Sequence, residues 1–552
     1  MAPIHLALLC LLPLTSVYAI AASTDKSTPH QAFLHCFLSK VHPSNTSSPL
    51  VYTRNVASYD VVLQSSVQNI RFLHSTTTKK PAAIVAPRSK FHVQVSVVCT
   101  RENGLSIRVR SGGHDYEGMS YTSGGDEFIA VDLSNLRLIT VDPEHTAAWV
   151  QAGATLGELY HAIASKNKTA GFTAGTCSTV GVGGHFSGGG IGTLSRKYGT
   201  AADNIVDAEL VDVEGRIMTR EAMGEDLFWA IRGGGAASFG IVLSYKINLV
   251  YVPPIVTACN VNKNLRQNAT ALVSRWQQIA ANFDENLYMR VVAQAVNDEE
   301  PRRRTIQALF NSLYLGRLRE LLMVIKKNFP ELGLEAKDCT EMTWLESVLF
   351  FNGYSGKGIN VLLDRKPQYN SSFKVKSDFV KQPIPETGLE NLWRLLLDAK
   401  DEPLVLIMEP FGGRLSKISE SAIPFPHRIG NLYIIQYFMR WSETEFNVAA
   451  KHLNWMKSLY EFMTPYVSSH PRAAYVNYKD IDLGRNEGKP TYLKARVWGL
   501  KYFRSNFKRL AYVKGKVDPG NFFRNEQSIP PLLQFMTSGG KSVDSKNVSY
   551  LC

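Results

Sequence analysis

The sequence predicts an α+β protein built from several packed layers of sheet and helix. Short β-rich runs alternate with glycine-rich turns from about Tyr59 to Leu249. Amphipathic helices and longer strand-like runs take over after Pro253-Pro254. Apolar residues make up 45% of the 552 and charged residues 20%, an ordinary globular balance with length enough for two or more domains.

Taken in order, Leu6–Leu14 is an apolar run of signal-peptide length followed by small residues at Ala19, Ala21 and Ala22. It is too short to span a bilayer, so residues 1–22 read as a signal peptide and no membrane association is expected. The next region, 23–250, carries strand-like runs at Ala83–Pro87, Ile107–Arg110, Phe128–Asp132 and Ala148–Gln151, with a helical piece at Thr155–Ile163. Region 251–474 has helical periodicity over Ala271–Phe283 and Arg317–Phe329, with strand-like runs at Tyr288–Ala295 and Leu432–Trp441. A third piece, 475–531, ends at Pro530-Pro531, and 532–552 is a polar tail. Five sequons, Asn45, Asn167, Asn268, Asn370 and Asn547, add to the expectation of a secreted (extracellular or cell-wall) or vacuolar glycoprotein.

The net charge of +13 raises nucleic acid as a partner. The Lys/Arg runs are few and not interleaved with stacking aromatics, which argues against it. No Cys-x-x-Cys or His-Glu-x-x-His pattern occurs, so no metal site is expected.

Two glycine-rich segments carry the chemistry. His114 follows Ser111-Gly112-Gly113 and precedes Asp115-Tyr116; Cys177 precedes a run holding Gly183, Gly184, Gly188, Gly189, Gly190 and Gly192. Clustered glycines let main-chain N–H groups approach an anionic ligand such as a pyrophosphate. Either residue alone has a plainer reading, a turn histidine or a buried inert thiol. Before a glycine nest Cys177 could instead be a reactive thiolate.

Together the segments resemble the berberine bridge enzyme-like family of plant flavoproteins, and the likeness runs from Cys36 to Pro531. The resemblance implies a two-part FAD-binding domain of the PCMH type (23–250 completed by 475–531) with an inserted α/β substrate domain (251–474), an antiparallel sheet covered by helices. It implies FAD bonded covalently to both His114 and Cys177, and a Cys36–Cys99 disulfide. Cys259, Cys339 and Cys552 then remain, an odd number whose pairing the sequence leaves open. Tyr502, Asn506, Asn525 and Gln527 match positions that close over the cofactor. Tyr478 matches the base of several members, with Tyr116 and Gln436 facing the ring; otherwise Tyr475 and Tyr478 are half-buried strand tyrosines. Val180 matches a residue that admits O2.

Three departures stand out: Ser178 replaces a frequent proline, Ile191 a frequent aromatic, and Ile434 a glutamate or lysine. The expectation is a monomeric FAD-dependent oxidase that takes a hydride from a small alcohol-bearing substrate (carbohydrate, or phenolic or specialised metabolite) and reduces O2 to H2O2. Oxidation of an alkaloid amine and a non-redox flavin-scaffold cyclase are the alternatives.

Overall fold

A computed structural model describes residues 28–41 and 50–533, apart from 74, 76, 145, 299, 301, 302, 368, 369 and 444. The signal-peptide segment, Asn45, Asn547, Cys552 and nearly all of the tail lie outside the described residues. The fold is α+β. Three strands of the first sheet, Ala83–Val85, Phe128–Asp132 and Ser106–Arg110, run parallel, and Val51–Thr53 closes one edge antiparallel. Beside it lies a five-stranded antiparallel sheet in the order Ile139–Val141, Ala147–Gln151, Ile241–Asn248, Ile205–Val211, Ile217–Met218. The helix expected near Thr155 forms over Leu156–Lys166, started by a Thr155–Glu158 capping box.

Beyond Pro254 the chain builds a seven-stranded antiparallel sheet, with Leu287–Asn297, Leu404–Pro410 and Tyr433–Trp441 adjacent near its middle. Period-two alternation gives this sheet two different faces. Tyr433, Ile435, Tyr437 and Met439 pack in one core with the helices Ala269–Ile279, Glu386–Asp398 and Phe446–Phe462. Gln436 and Phe438 face the other way, into a cavity shared with the N-terminal sheets.

After residue 475 the chain returns to those N-terminal sheets. Helices Tyr492–Phe503 and Asn506–Val517 bury Trp498, Tyr502, Phe507 and Leu510 in the same core as Phe186, Trp229 and Tyr245. Lys514, wholly buried, fastens this return by donating to the carbonyls of Ser238 and Phe523 and to Asp518. No helix among the described residues is long and apolar enough to cross a membrane.

Cys36 and Cys99 form a disulfide, with Cα atoms 5.7 Å apart, joining helix Pro29–Lys40 to helix Lys90–Glu102. A second disulfide, Cys259–Cys339, links directly opposed residues on the edge pair of the large sheet. Sequence reasoning left this pair open because the two residues are 80 apart; strand register brings them together. Closing loops of 63 and 80 residues restricts the unfolded chain by about 4 kcal/mol each. Non-reducing peptide mapping should recover both linked pairs. Replacing Cys259 and Cys339 together by serine should lower the unfolding free energy by about 2–4 kcal/mol in urea titration.

Candidate functional site

A cavity of about 540 Å³ opens between the N-terminal sheets, the inner face of the seven-stranded sheet and the C-terminal segment. One end is lined by glycine backbone, from Ser111–Gly113, Gly183, Gly184, Gly188, Gly192 and the 234–237 turn. Cβ atoms built on Gly184 and Gly235 would meet nothing within 4 Å, so main chain stands open to a ligand there. Gly112 and Gly181 are glycine for another reason. A Cβ on Gly112 would lie 2.3 Å from the Gly181 nitrogen, so these two loops touch backbone to backbone.

That contact positions the two candidate attachment residues. His114 Nε2 lies 2.8 Å from Thr179 Oγ1, and Cys177 Sγ lies 3.7 Å from the same oxygen. Both line the cavity. Burial, with His185 nearby, pulls the His114 pKa down to about 3 against the Thr179 hydrogen bond, so the imidazole is neutral and its nitrogen lone pair is available. Burial pushes the Cys177 thiol up, with hydrogen bonds to Thr179 and the Val180 backbone opposing. Of the two readings of Cys177, a buried thiol or a reactive thiolate, dehydration favours the thiol. A cavity with open glycine backbone, and with a neutral imidazole and a thiol beside one hydroxyl, fits a flavin nucleotide.

The wall facing these groups is aromatic. Tyr116 and Tyr478 stack at 5.8 Å and 18°, and Tyr475 meets Tyr478 edge-on at 5.0 Å. Gln436 Nε2 donates to the Tyr116 hydroxyl at 3.0 Å. All four line the cavity. The segment carrying Tyr475 and Tyr478 is an irregular turn, not a strand. It is held by Asn477, which donates to the His185 carbonyl at 2.9 Å and to the Tyr475 hydroxyl at 2.9 Å.

Of the other expected contacts, Asn525 and Gln527 line the cavity, whereas Gly189, Gly190, Tyr502 and Asn506 do not. Gly190 N–H donates to the Tyr475 hydroxyl at 2.8 Å, so this glycine turn seats an aromatic of the wall. The Tyr502 hydroxyl accepts from Asp480 N–H at 3.0 Å, and Asn506 donates to the Glu420 carbonyl at 2.7 Å. These two are struts, because their polar atoms are taken up by protein behind the wall. Among the sequons, Asn268 and Asn370 are exposed and Asn167 is partly so.

Sequence reasoning missed Glu409 and Arg290, which line the cavity with Phe351 and Ile407. Glu409 sits directly across from Ile434 on the adjacent strand. Its carboxylate accepts from Tyr288 OH at 2.8 Å and from Tyr478 OH at 3.3 Å. The available signal was a lone acid at the end of the apolar run Leu404–Met408.

Beneath the wall lies a buried ionic network. Lys374 pairs with Glu117 and Asp480, and Lys376 with Asp480 and Asp482, the latter two at 2.8 and 2.7 Å. Arg71 adds a 2.8 Å bond to Glu117. Formal charges balance, three cations against three carboxylates. The nearby anions hold the Lys374 ammonium above its usual range despite burial, and the two lysines hold Asp482 below the ordinary carboxylate range. Because the Asp482 pKa is depressed in the folded state, its contribution is present above the unfolded carboxylate pKa and lost as pH falls below it.

A family model described as "FAD binding domain" matches residues 81–220, and one described as "Berberine and berberine like" matches 474–530. Berberine bridge enzyme-like 23 of Arabidopsis thaliana is 53% identical over 470 residues, 84% of this chain and 87% of that one. Tetrahydroberberine oxidase of Berberis wilsoniae is 49% identical over 92% of this chain and 95% of its own. The crystal structure of a grass pollen allergen with glucose dehydrogenase activity superposes with a TM-score of 0.86 at 43% identity, covering 91% of this chain and all of the other. This chain belongs to the berberine bridge enzyme-like family and is an FAD-dependent oxidoreductase.

Lys374→Met leaves Glu117 and Asp480 buried without their shared cation. It should cost about 3–5 kcal/mol in thermal or urea unfolding. Flavin content of the purified protein should fall as well, since the His114–Glu117 loop loses one of its two cationic partners.

Proposed function

We propose that this protein oxidises an alcohol-bearing small molecule, a carbohydrate first, on bicovalently bound FAD, with O2 as the final acceptor. The observation that carries the reading is the convergence on one cavity of His114, Cys177 and a hydroxyl-rich wall of Tyr116, Tyr478, Gln436 and Glu409. His114 and Cys177 would hold FAD, which would supply the hydride acceptor, and links at both residues would raise its oxidising power. The wall orients the substrate hydroxyl: Tyr478 takes its proton, and Gln436 fixes Tyr116 beside it. Aromatic rings over the reacting carbon exclude water. The glucose dehydrogenase activity of the allergen relative supports a sugar hydroxyl as the reacting group.

An alkaloid amine is the second reading. It is supported by the tetrahydroberberine oxidase relative and by the apolar Ile191, Phe351 and Phe438 lining the cavity. Two disulfides among the described residues favour an oxidising, secretory destination.

Aerobic peroxide release with a panel of sugars, phenolic alcohols and tertiary amines tests the substrate class. Peroxide with oligosaccharides or sugars alone supports the first reading, and with amines alone the second; product without peroxide would point to a cyclase. Acid precipitation should leave flavin in the pellet for wild type and for either single alanine variant. The His114→Ala/Cys177→Ala double variant should release it.

Val180 lines the cavity three residues past Cys177, where a small side chain leaves a path for O2. An isoleucine-to-valine variant of the allergen relative is described as a glucose oxidase, in keeping with such a gate. Val180→Leu should slow reoxidation of the reduced flavin in stopped flow and leave anaerobic reduction nearly unchanged.

A further inference from the structure

Tyr478 is poorly placed to be the final proton acceptor. Burial raises its hydroxyl well above the usual phenol range, and the nearby carboxylate of Glu409 raises it further. With an ordinary phenol pKa near 10, well under about 1% of such a group is phenolate at neutral pH even without that rise. No cation from the neighbouring strand offsets this at position 434, which is isoleucine.

The geometry supplies a different acceptor. The Tyr478 hydroxyl points its proton at Glu409 Oε2, 3.3 Å away, and Glu409 Oε1 accepts from Tyr288 at 2.8 Å. A distance of 3.3 Å is long for an O–H···O bond, and such contacts tighten when substrate arrives. Glu409, Tyr478 and Arg290 all line the cavity. The groups facing the carboxylate are Tyr288 and Arg290 from strand Leu287–Asn297, Tyr475 and Tyr478 from the C-terminal turn, and Tyr116 from the His114 loop. Strand Tyr433–Trp441 offers only Ile434 opposite it.

From this arrangement we infer that Glu409 is the terminal proton acceptor of the reaction and that Tyr478 relays the proton to it as a neutral phenol. The inference rests on the alcohol-oxidation reading above. The substrate O–H proton passes to the Tyr478 oxygen while the Tyr478 proton passes to Glu409 Oε2. The carbinol C–H leaves with its electron pair to the bound FAD, and the C–O bond becomes C=O. Two electrons and one hydrogen go to FAD, one proton goes to Glu409, and Tyr478 ends as it began.

Glu409→Gln keeps the shape and can still accept from one of the two tyrosines, but its amide cannot take a proton. Anaerobic flavin reduction by the best substrate of the panel should fall about 10²–10⁴-fold, with covalent flavin content unchanged. In wild type the reduction rate should fall toward low pH. In the variant that acid limb should vanish, and the residual rate should rise about tenfold per pH unit as only phenolate can act. Ultraviolet difference titration against Tyr478→Phe, which needs no substrate, should show Tyr478 ionising at lower pH in Glu409→Gln than in wild type, because the neighbouring negative charge is gone.

Glu409→Asp should recover part of the lost rate, which guards against a folding defect in the glutamine variant. A Glu409→Gln enzyme reducing flavin within about threefold of wild type, while Tyr478→Phe is slow, would overturn the relay and leave Tyr478 as the base. Unchanged rates in both variants would instead overturn the alcohol-oxidation reading on which the relay rests.

Discussion

The site depends on a balanced set of charges, all but Asp482 largely taken out of water. Lys374 and Lys376 come from one strand of the inserted sheet, Glu117 from the loop that carries His114, and Asp480 and Asp482 from the turn that carries Tyr478. Three stretches of chain far apart in sequence are thus fixed to one another by the same few ions. Hydrophobic packing of equal volume would hold them as tightly, but it would not set their register. A charge network fails if any member shifts by an ångström or two, so it locates the tyrosine wall relative to the His114 loop.

Backbone-to-backbone contact does the same work at the other end of the cavity. Gly112 and Gly181 approach so closely that no side chain fits between them. The separation of His114 and Cys177 is consequently set by main chain, not by rotamers. The cavity has a rigid cofactor end and a wall whose chemistry is set by a handful of side chains, and function lies in those few.

Much of the fold was legible in the sequence, since alternation and helical periodicity are local. The strands at Phe128–Asp132 and Tyr433–Trp441 and the helices at Leu156–Lys166 and Leu318–Asn328 fall where the pattern put them. Sheet order and strand pairing are not local, which is why Cys259–Cys339 stayed open. The cavity followed the glycine motifs for the same reason as the helices: each motif is one continuous segment. Tyr502 and Asn506 spend hydrogen bonds on protein behind the wall, a pairing that sequence position alone does not reveal. Glu409 went unread because its meaning depends on Ile434, a neighbour across the sheet and not along the chain.

The return of the chain after residue 475 bears on how the protein is made. Arg108, on an early strand, donates to the Arg524 carbonyl at 2.6 Å and pairs with Glu526, more than 400 residues later. Asn525 and Gln527 complete the cavity lining from that same last stretch. A ribosome must therefore finish nearly the whole polypeptide before the pocket can close. Until then the N-terminal sheets wait with part of their apolar surface uncovered, a state prone to association. A truncation of the last few dozen ordered residues would produce a protein that retains His114 and Cys177 but not the enclosure around them.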